Sequence, residues 1–206
     1  MREAVLCYHA VSPTWEHRLS IHPELLLRQV RLLRRARRVR ATVDDAFRSA
    51  AMVFPALERI GVPIQIFVCT GYASEGAPLT IPELAGDDPD ELATLTWDEL
   101  RAHQERGVFF GSHGVSHDHL TRLGDDELRR ELTESKQRLE HELGRPCLEL
   151  AYPYGEHDVR VRRFVRAAGY ERAYGLYEDR DDPYALRRLD LYRRHSPVRA
   201  LLRLYA

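Results

Sequence analysis

Apolar, strand-like runs alternate with helical patterns along the whole chain. The strand-like runs lie at 4–9, 39–43, 64–69, 108–111, 148–151, 172–176 and 186–191. The helical patterns lie near 23–37, 46–60, 97–106, 125–143, 157–168 and 197–205. Seven strand-like runs in 206 residues leave about 29 residues for each strand–helix unit, which is the length of a βαβ repeat. The alternation predicts an α/β fold with a parallel sheet that closes into a barrel.

Length and charge limit the classes of function. A chain of 206 residues is long enough for one substantial core and too short for two ordinary domains, so we expect a single domain over 1–206. The balance of 31 basic against 32 acidic residues argues against a nucleic-acid binder and against a general membrane-surface binder. No apolar run approaches the ~20 residues of a transmembrane helix. The first apolar stretch breaks at Tyr8-His9, before a signal-peptide core would be complete, which predicts a cytoplasmic location.

Two polar pairs follow strand-like runs. Asp44 and Asp45 end one run, and His113 and His117 follow another. Alone, an aspartate pair can cap a helix, and two histidines four residues apart can occur by chance. Together, one Asp and two His form a three-ligand set that leaves a coordination position open, as catalytic metal sites do. The second Asp is then free to act as a base.

A third strand-like run ends in Tyr152-Pro153-Tyr154-Gly155. Because the carboxyl ends of parallel strands meet at one mouth of a barrel, we expect Tyr152 and Tyr154 to lie near the aspartates and histidines. The alternative is that both phenols are amphipathic rim residues that face core and solvent together.

Two further segments allow more than one interpretation. The connection from Gly71 to Thr94 is rich in Gly, Pro and acidic residues, and it is either a lid or wall of the mouth or a mobile insertion. The arginines between 31 and 40 are typical of the solvated face of an amphipathic helix. A weak peripheral attraction to anionic lipid or phosphate stays open for this helix.

Three motifs in this order resemble the polysaccharide deacetylases, also called carbohydrate esterase family four or the NodB homology domain. Thr42–Ala46 corresponds to the family's Thr-Phe-Asp-Asp-Gly, and Ser112–Leu120 corresponds to Ser-His-x-x-x-His-x-x-Leu. Ala151–Gly155 corresponds to Arg-x-Pro-Tyr-Gly, with Ala151 in place of the arginine. The order of the motifs makes the resemblance more specific than any one of them.

The resemblance implies a distorted (β/α)7 barrel and a hydrolase that removes N-acetyl groups from a sugar or glycoconjugate. It implies that Asp45, His113 and His117 hold one divalent ion, and the imidazoles favour zinc. By the same analogy Asp44 is the base, and Tyr152 and Tyr154 border the substrate.

The proton donor is less directly indicated. The family's late Leu-x-x-His motif is matched only out of spacing, at His195, whereas His9 ends the first strand-like run. We therefore assign the role of acid to His9, with His195 as the alternative. Two other functions remain open: a hydrolase of another C–N bond, such as a formamide or a cyclic amide on a small molecule, and a non-catalytic carbohydrate-binding relative. Asp44 counts against the second, because a binding protein has no need of a base.

Overall fold

The computed structural model describes residues 3–176 and 181–205. Its strands are β1 (Ala4–Tyr8), β2 (Ala10–Val11), β3 (Ser20–Ile21), β4 (Val39–Val43), β5 (Ile64–Val68), β6 (Phe109–Ser112), β7 (Glu149–Ala151), β8 (Arg172–Gly175), β9 (Leu186–Arg187) and β10 (Leu189–Asp190). Its α-helices are α1 (Pro23–Ala36), α2 (Phe54–Arg59), α3 (Pro89–Leu92), α4 (Trp97–Glu105), α5 (Asp125–Leu143), α6 (Val159–Ala167) and α7 (Pro197–Arg203). Short 3-10 helices lie at Arg48–Val53, Pro82–Leu84 and Pro153–Gly155.

The main sheet is parallel throughout and has the order β10-β1-β4-β5-β6-β7-β8-β9. Its two outermost strands are separated in sequence by Arg188 alone. β9 pairs with β8, and β10 pairs with β1. The segment Leu186–Asp190 therefore closes the sheet as one interrupted strand that changes partner at Arg188. The predicted seven-stranded (β/α) barrel is confirmed.

Periodic apolar residues attach the helices to the barrel. On α1, Leu26, Val30 and Leu33 are buried in the core, and all five residues of β5 are buried because both of its faces are covered. A capping box between Thr96 and Glu99 starts α4. No helix within 3–176 and 181–205 is both long and apolar enough to cross a membrane.

The helix predicted over 46–60 is partly wrong. The chain instead forms the 3-10 helix Arg48–Val53, which is followed by the short α2. Ala46 has φ 55°, which is outside the right-handed helical region. Pro55 lacks the backbone N–H that would continue a longer α-helix through this point.

The connection between Gly71 and Thr94 packs against the barrel mouth. Leu79, Ile81, Leu84 and Leu92 form a small apolar cluster with Phe47. The N–H of Leu79 donates to the carbonyl of Leu92, which joins the first half of the connection to its last residues. Since these side chains are buried, the segment is a wall of the mouth rather than an unpacked insertion.

Candidate metal and active site

Asp45, His113 and His117 converge at the carboxyl ends of β4 and β6. The Oδ1 atom of Asp45 lies 3.5 Å from Nε2 of His113 and 3.2 Å from Nε2 of His117. All three side chains are buried, and their candidate ligand atoms lie within 4.8 Å of one another. The structure thus brings together the three residues that the sequence predicts as metal ligands.

Neighbouring groups set the orientation of both histidines. Nδ1 of His113 lies 2.8 Å from the carbonyl oxygen of Ala151, which can only accept, so the proton sits on Nδ1 and the lone pair of Nε2 faces Asp45. Glu131 on α5 accepts from the N–H of Val115 at 2.7 Å and from the N–H of Ser116 at 3.2 Å. This carboxylate shapes the turn that carries His117.

The donor set fits a divalent cation. Within the described residues, the buried Oδ2 of Asp45 and the buried Nδ1 of His117 have no hydrogen-bond partner. Buried polar atoms without partners are costly unless something else satisfies them. One carboxylate and two imidazoles suit zinc or another late transition metal better than magnesium or calcium. Asp45 and His117 also have left-handed backbone, with φ 65° and 66°, a conformation that is enriched at functional sites.

The pKa values of these groups are shifted in different directions. Burial lowers the pKa of His113 to about 4, although Asp44 and Asp45 oppose the shift, so this ligand is neutral at pH 7. Burial would also lower the pKa of His117, but Asp45 outweighs it and raises that pKa. Burial would raise the pKa of Asp45, but His117 outweighs it and lowers that pKa. Asp45 is therefore ionised and holds His117 through a hydrogen bond, while the unprotonated Nε2 of His113 faces the same carboxylate.

A buried arginine holds Asp44. Nη1 and Nη2 of Arg188 donate to the two carboxylate oxygens at 2.6 and 2.7 Å, and Nη1 also lies 3.2 Å from Oγ1 of Thr42. Burial would raise the pKa of Asp44, but Arg188 and then His113 hold it well below its ordinary value. Asp44 is therefore an ionised carboxylate at neutral pH, 4.0 Å from Nε2 of His113.

Arg188 was not predicted from the sequence as a site residue. The sequence has Ala151 where the resembled family has an arginine, and the structure places the Arg188 guanidinium beside Asp44 from the segment between β9 and β10. The available signal was the alternation in Leu186–Asp190: Leu186 packs with Phe67 and Tyr174 inside the barrel, and Arg188, two residues later, faces the same way.

The aspartate pair Asp44–Asp45 and the histidine pair His113–His117 line one cavity of about 310 Å³. His9, Tyr154 and Tyr192 line it as well. His9 is half-buried after β1. Its ring is roughly parallel to that of Tyr192, with the centroids 6.5 Å apart. Ile81, from the connection between Gly71 and Thr94, also lines the cavity. The hydroxyl of Tyr154 donates to Oε2 of Glu83 at 3.3 Å.

Tyr152 and His195 do not line this cavity. Tyr152 is fully buried, and its hydroxyl donates to the carbonyl of Tyr184 at 2.8 Å. Tyr152 therefore does not face the cavity, whereas Tyr154, which has φ 59° in the turn after β7, does. His195 is also buried, and its Nδ1 accepts from the N–H of Tyr192 at 3.1 Å.

The fold and the site together define a class of protein: parallel α/β barrels that carry one carboxylate and two imidazoles at the mouth of the barrel. The family model described as polysaccharide deacetylase matches residues 34–173. This chain belongs to the polysaccharide deacetylase family. No curated protein sequence matches it.

Solved structures share the fold at low sequence identity. The Streptococcus pyogenes deacetylase PplD, in complex with acetate, is 19% identical with a TM-score of 0.81, over 98% of this chain and 97% of that one. IcaB from Ammonifex degensii is 20% identical with a TM-score of 0.77, over 99% and 97%. A de-N-acetylase from Aggregatibacter actinomycetemcomitans is 16% identical with a TM-score of 0.74, over 91% and 94%.

Proposed function

We propose that the protein is a metal-dependent hydrolase that removes N-acetyl groups from a sugar or glycoconjugate. The observation that carries the proposal is the arrangement of Asp44. It is ionised, fixed by Arg188, and placed beside the Asp45–His113–His117 cluster in one cavity. A carbohydrate-binding protein would have no use for a charged base in that place. Family membership supports a carbohydrate substrate.

Asp45, His113 and His117 would hold the ion, which we propose to be zinc. When bound, such an ion supplies Lewis acidity: it lowers the pKa of a water toward ~7 and polarises the acetyl carbonyl. Asp44 would accept the proton of the attacking water on a carboxylate oxygen. Arg188 positions this carboxylate and keeps it charged until the proton arrives.

Two further groups would complete the reaction. An amine leaves poorly unless it is protonated, and His9 is the histidine, other than the two ligands, that lines the cavity. We assign it the proton that the departing nitrogen requires. The backbone N–H of Tyr154, at a residue with φ 59°, would donate to the developing oxyanion. A cytoplasmic location and a single domain over 1–206 remain predictions.

We expect purified protein to contain one divalent ion per chain and His113→Ala to contain little or none. The substitution removes a ligand whose Nε2 faces Asp45. Elemental analysis of both proteins after dialysis measures this. His103→Ala, on α4 and away from the cluster, is the control and should keep the metal. Equal metal in wild type and His113→Ala would overturn the assignment.

We expect His9→Ala to slow hydrolysis of an acetamide much more than hydrolysis of an ester with a good leaving group. The leaving group of such an ester departs without protonation, whereas the amine must be protonated before it leaves. A general acid therefore raises the rate by about 10²–10⁴-fold only for the amide. Rates on the two substrates measure the difference. His195→Ala is the comparison, since His195 lies outside the cavity. Equal losses on both substrates, or none, would remove His9 from the mechanism.

The substrate class is tested by an amine-release screen with the metal-loaded protein. Release from N-acetyl sugars, with loss in Asp44→Asn, is the expected result. Release only from formamides or cyclic amides would contradict the carbohydrate proposal while leaving the metal chemistry intact.

A further inference from the structure

We propose that the outer face of α1 and α7 docks on an anionic lipid bilayer. We define this α1–α7 face by the exposed arginines on and just after α1, by those just before and on α7, and by the exposed apolar side chains on and just after α7. The proposal does not rest on the proposed activity, because no residue of the face lines the cavity.

The apolar part of the face is a stripe on one side of α7. Val198, Leu202 and Tyr205 are 63, 67 and 66% exposed. Val198 and Leu202 are four residues apart and share one side of α7, and Tyr205 lies two residues after the end of that helix. The opposite side is attached to the barrel, where Ala200 is buried and Leu201 packs on the core. The remaining exposed large apolar residues of the described chain are spread over other elements.

The charged part of the face is strongly basic. Its exposed arginines are Arg28, Arg31, Arg34, Arg35, Arg38, Arg194 and Arg199. None of them forms an ion pair within residues 3–176 and 181–205. Glu24 is the sole acidic residue between 22 and 40, and the stretch 191–205 has none. The near-neutral total charge therefore hides a segregated positive surface.

The two parts are adjacent. α1 and α7 pack against each other, and the guanidinium carbon of Arg37 lies 5.9 Å from the ring centroid of Tyr205. On α1 the exposed Arg28, Arg31 and Arg35 lie opposite the buried Leu26 and Leu33. Both helices belong to the outer ring of the barrel, so their outward sides form one surface.

A bilayer with anionic headgroups matches both parts at once. Apolar side chains of an amphipathic surface enter the boundary between headgroups and acyl chains, while arginines contact lipid phosphates. A soluble polyanion would use the arginines and leave the apolar stripe in water. A second copy of the chain would cover the stripe but set arginines against arginines, which is unfavourable.

Co-sedimentation with vesicles tests the proposal on the full chain. Vesicles of phosphatidylglycerol mixed with phosphatidylcholine should bind the protein, pure phosphatidylcholine should bind it weakly, and added NaCl should release it. Each arginine near the surface is worth about fivefold in partitioning, which corresponds to ~1 kcal/mol. The double variant Arg31→Gln/Arg35→Gln should therefore bind about 25-fold more weakly. Leu202→Ser should weaken binding about tenfold or more by removing an apolar side chain.

Matched controls lie on other surfaces. Val159 on α6 is 65% exposed, close to the exposure of Leu202, and Arg130 and Arg163 are also exposed. Val159→Ser and the double variant Arg130→Gln/Arg163→Gln should bind vesicles like wild type. The proposal is overturned if wild type does not bind anionic vesicles, or if controls and face variants lose binding equally. It is also overturned if the lipid-free protein sediments as a dimer that Leu202→Ser dissociates.

Discussion

Asp45→Asn is expected to lose the bound metal and the activity together, whereas Asp44→Asn is expected to keep the metal and lose about 10²–10⁴-fold in rate. The reason is the different contacts of the two carboxylates. Asp45 faces both imidazoles, while Asp44 is held by Arg188. Asparagine is preferred to alanine at position 45 because φ there is 65°, and asparagine adopts left-handed backbone more readily. Elemental analysis and amine-release rates on the same preparations measure both quantities.

Asp98→Asn is a suitable control, because that carboxylate is 90% exposed on α4, and it should keep both metal and activity. Metal loss in Asp44→Asn with metal retained in Asp45→Asn would show that the two roles are exchanged. Full activity in Asp44→Asn would remove the base from the mechanism.

Arg188→Gln is expected to reduce both stability and activity. Removing one partner of a buried ion pair typically costs about 3–5 kcal/mol, and both side chains here are nearly inaccessible, at 2 and 4%.

In the wild type the folded pKa of Asp44 lies below its unfolded value. The stabilisation is thus present above the unfolded pKa and is lost only as pH falls through the folded one. Without Arg188 that pKa rises, so the acid limb of the rate profile should move toward neutral pH. Denaturant unfolding and a pH–rate profile measure the two effects.

Arg40→Gln separates the effect on the site from a general loss of stability. Arg40 pairs with Glu149 at 3.1 Å near the amino end of β4, whereas Asp44 follows the carboxyl end of that strand, so this variant should lose stability without moving the pH profile. The double variant Asp44→Leu/Arg188→Leu should regain stability, because no charge is left unpaired, yet stay inactive. A wild-type pH profile in Arg188→Gln would show that Arg188 has only a structural role.

The alternation of apolar runs was sufficient to predict the strands of the main sheet and the barrel, because strands such as β5 are buried on both faces and have short continuous apolar sequences. The cluster of Asp45, His113 and His117 could be predicted for a related reason: its three residues follow strands whose carboxyl ends share one mouth. Side-chain direction was harder to predict. Tyr152 and Tyr154 look equivalent in sequence, but the turn after β7 sends one into the core and one into the cavity.

Two buried charged residues, Arg188 and Glu131, were not predicted from the sequence to act at the site. In the sequence, Arg188 resembles a charged residue that interrupts a short strand, and Glu131 resembles one of the many charged residues on the solvent-facing side of a helix. Only the three-dimensional structure shows that the first faces Asp44 and that the second accepts the N–H groups of Val115 and Ser116. Their roles depend on partners far away in the sequence, which local patterns do not reveal.

The closure of the barrel at Arg188 brings together site residues that come from two different parts of the sequence. The aspartate pair and both histidines fall within the matched region 34–173, whereas His9 and Arg188 fall outside it, on the two ends of the chain. Those ends meet because β1 pairs with β10. The candidate metal ligands and the proposed base Asp44 are thus encoded within the recognisable motifs, whereas the proposed acid His9 and the arginine that orients Asp44 are encoded where the first and last strands of the barrel pair. Relatives could therefore differ at the positions of His9 and Arg188 while the three motifs within residues 34–173 stay the same.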